Sequence, residues 1–155
     1  MAYPTIIGRD AEIGTLDRIY KSHKSEFIAI YGRRRVGKSY LVNEYFKNKI
    51  LFSAVGTYVK DGDKEYESYR KLQLSHFYDA LVIAGLDSEN PVPSNWREAF
   101  LLLRLLLAKK RNKRKVIFID ELPWMDTVRS NFIRALDHFW NSWATARKDI
   151  VLIVC

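Results

Sequence analysis

Short apolar runs alternate along this chain with longer stretches in which apolar positions recur every third or fourth residue. The runs near residues 26–31, 50–55, 115–119 and 150–154 are rich in Val, Ile, Leu and Phe. Runs of that length and content suit strands buried on both faces. Between them, Ile13, Leu16 and Ile19 predict a helix over 11–20, and Leu41, Val42, Tyr45 and Phe46 one ending near residue 47. Tyr66, Tyr69, Leu72, Phe77, Leu81 and Val82 mark a long amphipathic helix over 63–84. A loop containing Pro91 and Pro93 precedes a helix carrying Trp96, Phe100, Leu103 and Leu107, with Asn95 and Glu98 at capping-box spacing. Val128, Phe132, Leu136, Phe139, Trp140 and Trp143 predict a further helix of about twenty residues. Strands alternating with helices predict an α/β domain with a parallel sheet.

The first strand runs into Gly32-Arg33-Arg34-Arg35-Val36-Gly37-Lys38-Ser39, followed by Tyr40 and a helix. This fits G-x-x-x-x-G-K-[ST], the P-loop or Walker A motif, in the strand–loop–helix context it requires. Gly32 and Gly37 allow the backbone to curl its N–H groups around a phosphate chain, aided by the positive end of the following helix. Lys38 would reach the β- and γ-phosphates, and the Ser39 hydroxyl would ligate Mg²⁺. The three arginines either add positive potential toward a triphosphate or point to solvent.

A second signal lies at the end of the third apolar run, Val116-Ile117-Phe118-Ile119-Asp120-Glu121. Apolar residues followed by two acids form a Walker B pattern. Asp120 would hold Mg²⁺ through its water shell, because that ion dehydrates reluctantly. Glu121 would orient or deprotonate the attacking water. Acids often end strands, so the pattern gains its weight from following a P-loop. The chain lacks Asn-Lys-x-Asp and Asp-x-x-Gly, which disfavours guanine-specific GTPases and points to adenine.

Three segments together resemble the archaeal-type ATPases of the AAA+/STAND-like group. They are Ile7-Gly8-Arg9-Asp10-x-Glu12, Tyr31 through Ser39, and Phe118-Ile119-Asp120-Glu121-Leu122-Pro123-Trp124-Met125. The resemblance spans nearly the whole chain. It implies a three-layer P-loop fold of the additional-strand, catalytic-glutamate type with sheet order 1-4-3-2. It places Ile7, Gly8 and Arg9 near adenine, Lys38 and Ser39 at the phosphates and Mg²⁺, Asp120 on Mg²⁺, and Glu121 as base. Related ATPases follow the last of these strands with a polar sensor residue, a fifth strand and a lid carrying an arginine. The run Ile150 to Cys155 ends before any of these, so a single domain over 1–155, truncated at its C-terminus, is the expectation, with further C-terminal domains missing.

Composition changes this picture at the margins. The 155 residues are 48% hydrophobic, which suits a packed core rather than a disordered chain. The formal charge of +8 favours anionic partners without choosing among them. Much of it lies in Lys109-Lys110-Arg111-Asn112-Lys113-Arg114-Lys115, read either as a solvated helix end or as a nucleic-acid contact. Cys155 is the sole cysteine, so no intrachain disulfide forms and a reducing cytoplasm fits. The apolar stretch 99–108 is too short to span a bilayer. His23, His76 and His138 lack metal-ligand spacing. The expected activity is Mg²⁺-dependent ATP binding and hydrolysis driving a switch or remodelling step, with homo-oligomerisation as one way to complete the site. The alternatives are a non-catalytic module that binds ATP or ADP, and a basic DNA-associated domain.

Overall fold

Four parallel strands form the centre of the molecule, in the order β1-β4-β3-β2: β1 Glu26–Ala29, β2 Ile50–Val55, β3 Lys115–Asp120 and β4 Ile150–Val154. A computed structural model describes residues 6, 8–58, 60 and 66–155. The expected sheet order is the one observed. The two central strands, β3 and β4, pair over Lys115↔Ile150 to Ile119↔Val154. Alternate side chains of these strands enter different cores. Ile117, Ile119, Ile150 and Leu152 pack into one, Val116, Phe118, Val151 and Ile153 into the other. Period-two alternation, with apolar residues at both parities, is why these strands read as continuous apolar runs.

Helices α1 (Asp10–Lys21) and α2 (Lys38–Tyr45) cover one face. Leu16, Leu41, Val42, Tyr45 and Phe46 are buried there, the positions expected from their spacing. Helices α3 (Tyr66–Ile83), α4 (Trp96–Lys109) and α6 (Phe132–Phe139) supply the residues buried on the other face, where Phe77, Trp96, Phe100, Phe132 and Phe139 form a chain of ring contacts. The result is a three-layer α/β sandwich.

The differences from expectation are local. In α3 the buried seam runs through Leu74, Phe77 and Leu81, whereas Leu72 is exposed; the start expected at 63–65 lies outside the described residues. A one-turn helix, α5 (Leu122–Met125), follows Glu121, and Asp126 ends that turn. The long helix expected to contain Val128 starts later. Val128 is exposed, and left-handed backbone at Arg129 and Asn131 separates it from α6. Past Phe139 the helix widens into a π-helical turn, Trp140–Ala144, before the short α7 (Thr145–Arg147). The Thr145 N–H donates to Trp140 O five residues back. This wider turn lets Ala144, fully buried, share the core with Phe139.

Candidate functional site

The loops that follow β1, β2, β3 and β4 meet at the carboxyl ends of the strands, where open α/β sheets carry their sites. They enclose a cleft of about 790 Å³ lined by residues of the 32–40 loop together with Gly56, Tyr58, Asp120, Glu121, Trp124 and Cys155. Thus the two sequence signals, separated by some eighty residues, come together in one place.

In the 32–40 loop, Gly37 adopts left-handed backbone (φ 78°) as the residue preceding α2, and its carbonyl accepts from Leu41 N–H at 3.0 Å. Any side chain there would be strained. Lys38 Nζ donates to Gly32 O at 2.7 Å and Arg33 O at 3.0 Å. Its ammonium is therefore held over the loop rather than splayed into solvent. The three arginines fare differently. Arg34 lies with its guanidinium carbon 5.8 Å from the Trp124 ring centroid. Arg35 takes a left-handed backbone (φ 61°) and lines the cleft, as do Val36 and Tyr40. Arg33 accepts from Lys38 through its carbonyl and is not part of the lining.

Ser39, Asp120 and Cys155 line the same cleft, and both side chains act electrostatically on the Cys155 thiol. Burial, reinforced by the Asp120 carboxylate, pushes the thiol above its ordinary value, so it stays protonated near neutral pH. Cys155 also holds the ladder in register, donating its N–H to Ile119 O at 2.9 Å and accepting from Leu122 N–H at 3.0 Å. Sequence reading had assigned it only a redox meaning.

Glu121 follows on left-handed backbone (φ 53°, ψ 39°), a conformation unusual for a residue with a side chain. Its N–H donates to Asp120 Oδ1 at 2.9 Å, and its carbonyl accepts from Trp124 N–H at 3.1 Å. The carboxyl group is exposed on the rim of the cleft. Trp124 is half-buried, packed edge-on against Tyr58 with ring centroids 4.7 Å apart, and also lines the cleft.

Of the N-terminal trio, Ile7 lies outside the described residues. Gly8 is left-handed (φ 78°), and Arg9 donates from its guanidinium to the Val36 carbonyl of the loop. Arg9 thereby ties the entry to α1 to the 32–40 loop.

The donor set suits the groups it was expected to hold. Ser39 hydroxyl and Asp120 carboxylate are hard oxygen donors, as Mg²⁺ prefers. Among the described residues no group of three or more His, Cys, Asp or Glu side chains forms a metal cage.

The basic run at 109–115 sits apart, at the start of β3 and so at the opposite end of the strands. Two of its cations are structural. Lys115 is buried and pairs with Asp149 at 2.6 Å. Arg114 donates to the carbonyls of Lys24, Lys148 and Ile19. Lys109, Arg111 and Lys113 are exposed.

Residues 6–155 match the family model of an ATPase domain predominantly from Archaea. The chain belongs to that family. Over 43 residues this archaeal-type ATPase domain is 40% identical to an uncharacterized ATP-binding protein of Methanocaldococcus jannaschii. The matched stretch covers 28% of this chain and 73% of that protein. No helix of the ATPase domain is long and apolar enough, among the described residues, to cross a membrane.

Proposed function

We propose that this chain binds ATP with Mg²⁺ and hydrolyses it, using the cleft at the carboxyl ends of its strands to drive a conformational switch. The observation that carries this reading is the convergence of Lys38, Ser39, Asp120 and Glu121 on one cleft. Family membership and the ATP-binding relative support a nucleotide as the ligand.

In this reading the loop amides around Gly37 and the Lys38 ammonium exchange their internal partners for phosphate oxygens and neutralise their charge. Ser39 and Asp120 would hold Mg²⁺, which would supply neutralisation of phosphate charge. Glu121, on the rim, accepts a proton from water and aims it in line with the leaving group. Arg9 steadies the loop at Val36, and Gly8 with Arg9 borders the adenine.

The relative is named for ATP binding alone, which keeps a second reading in play: a module in which bound nucleotide orders a surface without turnover. Calorimetric titration with Mg·ATP, Mg·ADP and Mg·GTP, followed by a phosphate-release assay, tests both. Adenine-nucleotide binding abolished by Lys38→Ala is the expected result. Glu121→Gln should retain that binding and lose turnover by about 100-fold or more. Binding without turnover in the native chain would favour the module, and absence of any binding would sink both.

A further inference from the structure

Glu121 stands on a strained turn, and a fully buried amide on another helix is attached to that turn. Gln73, in α3, is 4% exposed. Its Oε1 accepts from Thr57 N–H at 2.9 Å, and its Nε2 donates to Thr57 O at 2.9 Å and to Trp124 O at 2.8 Å. The amide thus pairs with both backbone groups of Thr57, as a neighbouring strand would. Its remaining donor satisfies a carbonyl at the end of the one-turn helix α5, which has no continuing helix to bond it.

Beneath this bracket lies Gly56, the residue before Thr57. Its N–H donates to Asp120 O at 2.9 Å, extending the β2–β3 ladder one step. A Cβ added at Gly56 would fall 2.1 Å from Glu121 O and 3.1 Å from Trp124 Cβ. Only glycine allows the Glu121 turn to lie this close. The turn is therefore fixed from two sides: Gly56 lets it sit against β2, and Gln73 holds Trp124 and Thr57 together across it. His76, one helical turn beyond Gln73, adds a contact from its Nδ1 to Thr57 Oγ1 at 2.7 Å.

We propose that Gln73 is a positioning residue for hydrolysis, acting through Trp124 O and Thr57 to hold the strained Glu121 turn, with Gly56 as the small residue that admits it. This rests on the reading of Glu121 as the base. A buried amide could serve stability alone, but a merely stabilising residue would be expected on any part of this core. Here all three of its hydrogen bonds converge on the segments flanking Glu121. Displacing a catalytic group by about an ångström costs on the order of 100-fold in rate. Lys38 is held within its own loop by the carbonyls of Gly32 and Arg33, whereas Arg34 meets this turn through the Trp124 ring.

The test measures kcat and the Kd for Mg·ATP in Gln73→Leu, in Gln73→Met (which preserves side-chain length should the first variant fold poorly), and in Gly56→Ala. Each is also combined with Glu121→Gln. The expected result is a fall in kcat of about 10- to 100-fold, with ATP affinity and binding stoichiometry within twofold of native. In the Glu121→Gln background these changes should have no further effect, because they act through that carboxylate. A folded, ATP-binding Gln73 variant with native kcat would overturn the proposal. So would losses that multiply with Glu121→Gln, or a parallel loss of binding. If Glu121→Gln itself leaves native turnover intact, the assignment of the base fails instead, and the positioning role falls with it.

Discussion

Lys115 illustrates what a single residue conceals in sequence. It stands at the end of a basic run and is nevertheless buried, donating to Asp149 Oδ2 at 2.6 Å and Asn112 O at 2.8 Å. Arg147 completes the pair from the other side with two parallel bonds to the Asp149 carboxylate. Burial alone pushes the Asp149 carboxyl up, but the bonds from Arg147 and Lys115 outweigh it and hold the group below its ordinary value. A depressed folded pKa means its contribution is complete above the unfolded value of about 3.9 and disappears as pH falls through the lower folded value. Asp149→Asn should therefore cost about 3 kcal/mol at pH 7, because it removes the counter-charge of the buried Lys115 ammonium and leaves it the Asn112 carbonyl. Urea denaturation should show that deficit shrinking below about pH 4. Trp124 gives a second prediction at this scale. If nucleotide binding draws Arg34 away from its ring, tryptophan emission should change on adding ATP, and Trp124→Phe should remove most of that change. The strand–loop–helix at Gly32–Ser39 was legible because its eight positions are contiguous and each has a local reason. Gly56, Gln73 and Cys155 were not, since their partners lie on other strands and helices. Likewise Arg114 reaches Ile19 across 95 residues, and nothing in a run of lysines and arginines says which two turn inward.

Among the elements, α4 shows how far local chemistry reaches. Asn95 accepts from Glu98 N–H at 2.9 Å, as its spacing predicts. The Glu98 carboxylate does not close the box onto Asn95; it accepts instead from the N–H and hydroxyl of Ser94, at 2.8 and 3.0 Å. The box is thus shifted by one residue on its return side. Asn95→Ala should lower stability by about 1 kcal/mol, read as a shift of the urea midpoint without a change in slope. The strands and the main helices were readable from periodicity because each has a clear apolar face. The π turn was not, since Phe139, Trp140 and Trp143 fit an α-helical face equally well, and only the burial of Ala144 decides the pitch. The start of α6 after Asn131 was also hidden, because left-handed backbone at asparagine leaves no mark in the apolar pattern.

Across the whole molecule, strand order came from resemblance and not from any residue, since periodicity says nothing of which strands are neighbours. Because the strands are all parallel, the cleft and the basic run occupy opposite ends of the sheet. Neutralising Lys109, Lys110, Arg111 and Lys113 should leave calorimetric ATP binding unchanged. If the run contacts nucleic acid, a salt-dependent shift of labelled DNA should disappear in the same variant. Extending the substitution to Arg114 and Lys115 should lower thermal stability, because those two hold β3 and β4 to their surroundings. The widened turn at Trp140–Ala144 bears on ancestry as well. Such a turn has the geometry of an α-helix that has taken in one extra residue. A codon gained there displaces only the local pitch and leaves β4 aligned with β3. Related chains should therefore differ in length by one at this point, with an uninterrupted α-helix wherever the codon is absent.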